Sequence, residues 1–248
     1  MKKILLITGG SRGIGAATAL LAAQHQYDIA ISYLHNRAAA QEVVRGIQAA
    51  GAKAVAVQAD VSHESDVLRL FTEVDKALGP VTALVNNAGV LEVQARVEDM
   101  TAERISRVFA TNVVGSFVCA REAVRRMSTA RGGQGGAIVN VSSRAARLGS
   151  PGEYVDYAAS KAALDTLTLG LSKEVAQEGI RVNAVAPGLI TTDIHASGGE
   201  PGRVDRLKGT VPMGRGGTSQ EVAQAILWLL SDAASYTTGA TIEVSGGR

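Results

Sequence analysis

Short apolar runs alternate with longer stretches of helical periodicity along almost the whole chain. The runs at 4–7, 29–32, 55–58, 81–85, 138–141, 182–185 and 241–244 predict strands. Most of them lack polar alternation, the pattern of strands covered by helices on both faces. Between them, apolar positions three and four residues apart predict helices over 13–24, 37–50, 64–77, 101–127, 155–178 and 219–230. Thr101 and Ser219 stand where the fourth and last of these helices would start. This repeated order of strand and helix predicts an α/β fold with a doubly wound parallel sheet and right-handed crossovers. No Pro/Gly/Ser-rich linker divides it, so a single domain is expected over 1–248. The glycine-rich stretch 132–136 runs directly into a predicted strand and reads as a loop. Residues 190–217 hold several glycines and no continuous pattern, as expected of a mobile cover over a substrate.

Composition narrows the picture. With 46% hydrophobic and 19% charged residues in 248, the chain can build a substantial core and is not disordered. Only 4% is aromatic, so the core rests on Ala, Val, Leu and Ile. The net charge of +2 comes from 25 basic and 23 acidic side chains, and they are scattered. No nucleic acid or membrane partner is therefore expected. Arg121, Arg125 and Arg126 recur at helical spacing and read as a solvated face, with docking of an acidic partner as the alternative. Cys119 sits among apolar residues and reads as core. The apolar start stops at Thr8, too short for a signal peptide, and no segment is long enough to span a membrane. The expectation is a cytoplasmic protein.

The sharpest local signal is Thr8-Gly9-Gly10-Ser11-Arg12-Gly13-Ile14-Gly15, between the first predicted strand and the first helix. Glycines there permit close backbone approach, and free amides at a helix start attract a pyrophosphate. The spacing differs from Gly-x-Gly-x-x-Gly and lacks the Gly-Lys-Ser/Thr ending of a triphosphate loop. The second strand ends in Tyr33-Leu34-His35-Asn36-Arg37, without the acid that would bind a ribose 2′-hydroxyl. Arg12 and Arg37 can instead pair with a 2′-phosphate, which predicts NADP(H) as the cofactor. Asp60-Val61 after the third strand suits an adenine contact, with loop capping by Asp60 as the alternative. Asn86-Asn87-Ala88-Gly89 after the fourth suits a crevice that leaves room for ribose.

Tyr157 and Lys161 are one helical turn apart and share a face. A nearby ammonium favours phenolate, so Tyr157 is expected to have a lowered pKa and to act as acid/base on a carbonyl or alcohol. Ser142-Ser143 ends the preceding strand and can polarise the same oxygen. Asn112 can bind a backbone carbonyl or water and extend a proton relay from Lys161. The four histidines show no compact ligand spacing, so no metal is expected.

With these pieces, joined by Pro187-Gly188-Leu189-Ile190-Thr191-Thr192, the whole chain resembles the short-chain dehydrogenase/reductase family. The resemblance implies a Rossmann-like seven-stranded domain and commonly a homotetramer. It implies a catalytic tetrad of Asn112, Ser143, Tyr157 and Lys161, with Ser143 rather than Ser142 facing the substrate. It also implies that Ile190 and Thr192 hold the nicotinamide amide and pyrophosphate region. The expected reaction is hydride transfer between NADPH and a small-molecule carbonyl or alcohol substrate, with the proton from Tyr157. Related activities include 3-oxoacyl-carrier-protein reduction and sugar dehydrogenation. Gln134 and Glu178 stand where carrier-protein reductases often place basic residues, which disfavours a carrier, although Arg131, Arg144 or Arg147 can compensate. A non-catalytic NADP-sensing regulator would have no need of all four tetrad positions.

Overall fold

One parallel sheet organises the chain: β1 (Lys3–Ile7), β2 (Tyr27–Tyr33), β3 (Ala54–Gln58), β4 (Ala83–Asn86), β5 (Gly136–Val141), β6 (Ile180–Pro187) and β7 (Thr241–Val244). The computed structural model describes residues 3–192 and 194–248. The strands lie in the order β3-β2-β1-β4-β5-β6-β7, every neighbouring pair parallel. The chain therefore moves outward from β1 to β3, returns to β4 on the other side of β1, and moves outward again. Such a reversal leaves a crevice at the carboxyl ends of the strands, where α/β sheets bind ligands.

Alternate strand residues feed two apolar layers. Leu5, Ile7, Ile29 and Ile31 pack toward α1 (Gly13–Ala23), α2 (Arg37–Ala49) and α10 (Ser219–Leu230). Ile4, Leu6 and Ala30 pack toward α3 (Glu64–Ala77) and the helix over Gly115–Met127. A sheet covered on both faces has no polar side to show, which explains the unalternating runs. Each fully buried Leu or Ile contributes about 1.5–3 kcal/mol relative to exposure. Cys119 belongs to the second layer and is buried. No helix among the described residues is long and apolar enough to cross a membrane.

The stretch 101–127 is not one helix. It is α4 (Ala102–Phe109), a π-helical turn over Ala110–Val114, and α5 (Gly115–Met127). Apolar spacing does not reveal the wider turn, because one extra residue shifts the pattern by less than a helix face. The predicted helix over 155–178 is α7 (Val155–Val175) with a terminal 3-10 turn, preceded by the short α6 (Ala145–Leu148). The stretch 190–217, expected as a cover, holds α8 (Ile194–Ser197), α9 (Arg203–Leu207) and a further 3-10 turn over Lys208–Thr210. The arginines of α5 are less bare than their spacing suggests. Arg121 pairs with Glu64 at 2.7 Å, Arg126 with Asp75 at 2.7 Å, and Arg125 with the buried Glu122 at 2.8 Å. They tie α3 to α5.

Thr101 caps α4 by accepting from the Arg104 amide. For α10 the cap is one residue earlier than the sequence pattern suggested. Thr218 accepts from the Glu221 amide at 3.2 Å, and Glu221 accepts from the Thr218 amide at 2.8 Å, a reciprocal capping box. Thr218→Ala is expected to lower stability by about 1 kcal/mol in urea unfolding, and Ser219→Ala by only a few tenths. Equal losses would place the cap wrongly.

Candidate active site

The turn between β1 and α1 is held open from both sides. Thr8 Oγ1 accepts from the amides of Asn87 and Ala88, each at 3.0 Å. Asn87 Nδ2 donates to the Thr8 and Gly9 carbonyls at 2.9 and 3.0 Å. On the other side the Gly9 amide donates to Ser32 Oγ at 3.1 Å. Gly13 then opens α1 with a φ of +55°, a conformation that favours glycine. The N-cap residue Arg12 is extended, gives no side-chain cap, and no acid occupies the first turn. The first amides of α1 are thus left for an outside acceptor, and their partial positive charge fits the diphosphate of a dinucleotide.

A cleft of about 620 Å³ runs from this turn along the carboxyl edge of the sheet. Gly9, Ser11, Arg12, Gly13 and Ile14 line one part of it, with Tyr33, Asn36, Asp60 and Val61 nearby. Ala88, Gly89, Pro187, Gly188, Ile190 and Thr192 continue the wall to Ser143, Tyr157 and Lys161. Four candidates lie off the wall: Gly15, Arg37, Asn86 and Asn112. Gly15 is buried in the first turn of α1. Arg37 is exposed as the first residue of α2, so of the two arginines proposed for a 2′-phosphate only Arg12 faces the cleft. Asn86 is buried in the sheet, donating to Asn140 Oδ1 at 2.9 Å and to the Ser116 carbonyl at 3.1 Å. Its neighbour Asn87 is the asparagine at the crevice. Asn36 and Asp60 also have local duties: Asn36 caps α2 through the Ala39 amide at 2.9 Å, and Asp60 accepts from Ser62 Oγ at 2.7 Å.

Lys161, 3% exposed, donates from Nζ to the Val141 carbonyl at 2.7 Å and lies 5.5 Å from the centroid of the Tyr157 ring. Ser143 lines the cleft together with Tyr157, and its neighbourhood acts to lower the Tyr157 phenol. Its Oγ accepts from the Ala145 amide at 3.1 Å, which fixes it at the start of α6. Ser142 and Ser143 both line the cleft, but the Ser142 hydroxyl is engaged, donating to the Lys161 carbonyl at 3.2 Å. Asn112, in the π-helical turn, clamps the loop after β4: Oδ1 accepts from the Val90 amide at 2.8 Å and Nδ2 donates to its carbonyl at 3.1 Å. Nδ2 also donates to Ser160 Oγ at 3.0 Å, and Ser160 in turn donates to the Tyr157 carbonyl at 2.7 Å. A Cβ on Gly89 would lie 3.4 Å from both Asn112 Oδ1 and Lys161 Nζ, a measure of how close the two stand. Insertion of a π-turn at such a point is frequent at functional sites.

The electrostatics correct one expectation. Burial pushes the Tyr157 phenol up to about 12, opposed only by the neighbouring Ser143. Burial also brings the Lys161 ammonium down to about 8, with Asp165 opposing that fall. An ammonium lowers a neighbouring phenol only while it keeps its own charge, and here desolvation acts on both groups. Tyr157 is accordingly protonated at neutral pH.

Asn87, Leu91, Tyr154, His195 and Arg203 also line the wall. Asn87 belongs to the run 86–89 already read as a crevice, whereas Leu91, His195 and Arg203 escaped the sequence reading as site residues. Arg203 carried no signal, because nothing in 190–217 shows which side chains turn inward. Arg104 and Asp156 were also invisible as a pair. They join α4 to the residue before Tyr157 through a 2.7 Å contact, with Asp156 2% exposed.

Comparisons with known proteins agree with this geometry. The sequence model of the family described as Enoyl-(Acyl carrier protein) reductase matches residues 9–248. The chain is 64% identical over 245 residues to the uncharacterized oxidoreductase YgfF of Escherichia coli, covering 99% of each chain. It is 36% identical to the 3-oxoacyl-[acyl-carrier-protein] reductase FabG of Staphylococcus epidermidis, over 100% of this chain and 99% of the relative. Among solved structures, a short-chain type dehydrogenase/reductase from Mycobacterium marinum superposes with a TM-score of 0.92 at 35% identity, covering 99% and 94% of the two chains. The acetoin dehydrogenase YohF from Salmonella typhimurium gives 0.87 at 35% identity, covering 100% and 97%. The chain belongs to the short-chain dehydrogenase/reductase family of nicotinamide-dependent oxidoreductases.

Proposed function

We propose that the protein is an NADP(H)-dependent oxidoreductase that interconverts a small carbonyl compound and its secondary alcohol, with Tyr157 as the acid/base. One observation carries the reading. Ser143 and Tyr157, with Lys161 beside the ring, stand on the wall of the same cleft that leads to the uncapped end of α1.

NADP(H) rather than NAD(H) is supported by what surrounds the end of β2. Tyr33, Leu34, His35 and Asn36 line the cleft there without a carboxylate, and Arg12 lines it without an ion pair among the described residues. A guanidinium matches a phosphate with two parallel hydrogen bonds. When bound, the reduced nicotinamide supplies the hydride for the carbonyl carbon. Ser143 Oγ and the Tyr157 hydroxyl donate to the substrate oxygen, and Tyr157 gives up its proton as that oxygen gains charge. Lys161 stabilises the phenolate left behind and restores its proton, while Asn112 and Ser160 hold the segments that carry these groups. A protonated phenol is the form this direction requires.

A small molecule is favoured over a carrier-bound acyl group by Gln134 and Glu178, which stand where a carrier would meet basic residues. Of the arginines that can compensate, Arg144 is engaged, pairing with Glu243 and donating from Nε to the Arg248 carbonyl at 2.6 Å, while Arg131 and Arg147 are exposed. Val114 at 51%, Phe117 at 48% and Leu169 at 49% exposure leave apolar area on the long helices, which supports assembly as a homotetramer.

NADPH is expected to bind about tenfold or more tightly than NADH in calorimetric titration, and Arg12→Ala to erase the difference. Equal or tighter binding of NADH to the unaltered protein would sink the assignment. Tyr157→Phe is expected to lower kcat by about 10²–10⁴-fold with the Kd for NADPH unchanged. Reduction should also weaken as pH rises through about 8, because Lys161 loses its charge there while Tyr157 keeps its proton to about 12. A profile of kcat that stays flat past pH of about 10 would contradict the role given to Lys161.

A further inference from the structure

Beyond Tyr157 the cleft is bounded by a wall where the stretch 190–217 meets two other loops. Tyr154, 2% exposed, donates its hydroxyl to the Gly198 carbonyl at 3.2 Å. A Cβ on Gly198 would fall 2.7 Å from Leu91 Cδ2 and 3.3 Å from the Tyr154 hydroxyl. This stretch therefore touches the loop after β4 and the entry to α7 at a point with no room to spare. Arg203 lies over the Tyr154 ring, 4.9 Å from its centroid, and is 8% exposed.

The guanidinium of Arg203 is shared by two carboxylates, Glu153 and, at 2.9 Å, Glu200. Arg206 pairs with the same two, at 3.0 Å to Glu153. Gln94 adds a bond to Glu200 at 2.6 Å. Of this group only Leu91, Tyr154 and Arg203 line the cleft, whereas the carboxylates, Arg206 and Gln94 do not. The wall thus shows the substrate an apolar side chain, an aromatic ring and a cation already balanced from behind. Two positive groups face two negative ones, so the cluster carries no net charge.

We propose that this wall restricts the substrate to ketones whose chain beyond the carbonyl is short and uncharged, with Tyr154 and Arg203 as specificity-determining residues. The inference rests on the carbonyl-reductase reading above. A longer chain must displace the Tyr154 hydroxyl from Gly198 or part Arg203 from its carboxylates, and either move leaves buried polar groups without partners. A charged tail meets a guanidinium already engaged and loses its own hydration for little return.

The test measures kcat/KM with NADPH for butanone, methyl hexyl ketone, acetoacetyl-pantetheine and acetoacetate. The charged tail of acetoacetate is expected to cost about tenfold or more against butanone, and its equal turnover would overturn the exclusion of charge. The unaltered protein is expected to lose about tenfold or more between butanone and methyl hexyl ketone, and as much for the thioester. Tyr154→Ala and Arg203→Ala are expected to raise the ratio of methyl hexyl ketone to butanone by about tenfold. Tyr154→Phe, which keeps the ring and removes only the bond to Gly198, should raise it less. Thermal unfolding identifies any variant that fails to fold, and the profile of the unaltered protein decides the matter without them. Turnover of methyl hexyl ketone or the thioester as fast as butanone overturns the wall but leaves the reductase reading standing, as does an unchanged ratio in folded variants. No turnover of any ketone overturns that reading and this inference together.

Discussion

Everything at the site depends on β1 lying between β2 and β4 with all three parallel. Parallel pairing forces each connection back across a face of the sheet, so apolar side chains must serve two layers and every strand ends on the same edge. At β1 the direction of travel reverses, and two loops that would otherwise run together part. The gap is then fixed by a few polar contacts rather than by packing. Thr8 and Asn87 hold the turn to β4, and Ser32 holds it to β2. With its flanks bound in this way, the α1 end keeps its amides directed into the cleft with no side chain competing for them.

The chemical end is organised by burial. Lys161 is almost wholly enclosed and its ammonium has one carbonyl partner in Val141, so it holds its charge at the cost of hydration. The same enclosure keeps Tyr157 a neutral phenol. In the proposed reaction the pair is a proton donor backed by a cation whose charge fails not far above neutral pH, rather than a phenolate prepared in advance. The hydroxyl of Ser143 and the clamp of Asn112 on Val90 then act as position, not as charge.

Much of this could be read from the chain. All seven strands lie where the apolar runs are, because a doubly covered strand needs an unbroken run and little else does. The proposed tetrad comes from the family resemblance, to which the shared helix face of Tyr157 and Lys161 and the place of Ser143 just after β5 lend support. What escaped depends on contacts between segments far apart in sequence. The π-turn that brings Asn112 inward leaves no mark on the periodicity. The choice of Asn87 over Asn86 at the crevice is made by the pleat of β4, which turns Asn86 into the sheet toward Asn140. The cap of α10 at Thr218 needed its reciprocal acid, Glu221, to be noticed three residues on. The pKa of Tyr157 was misjudged because the sequence shows the neighbouring charge and hides the desolvation.

The central claim is that Tyr157 delivers a proton to a carbonyl oxygen within a cleft that holds NADPH. Single-turnover reduction of butanone by protein preloaded with NADPH, followed in H₂O and in D₂O, tests it most directly. The account predicts one reduced nicotinamide consumed per ketone reduced, with slower consumption in D₂O. Consumption without a ketone product, no consumption at all, or a rate indifferent to D₂O in this single turnover would contradict it.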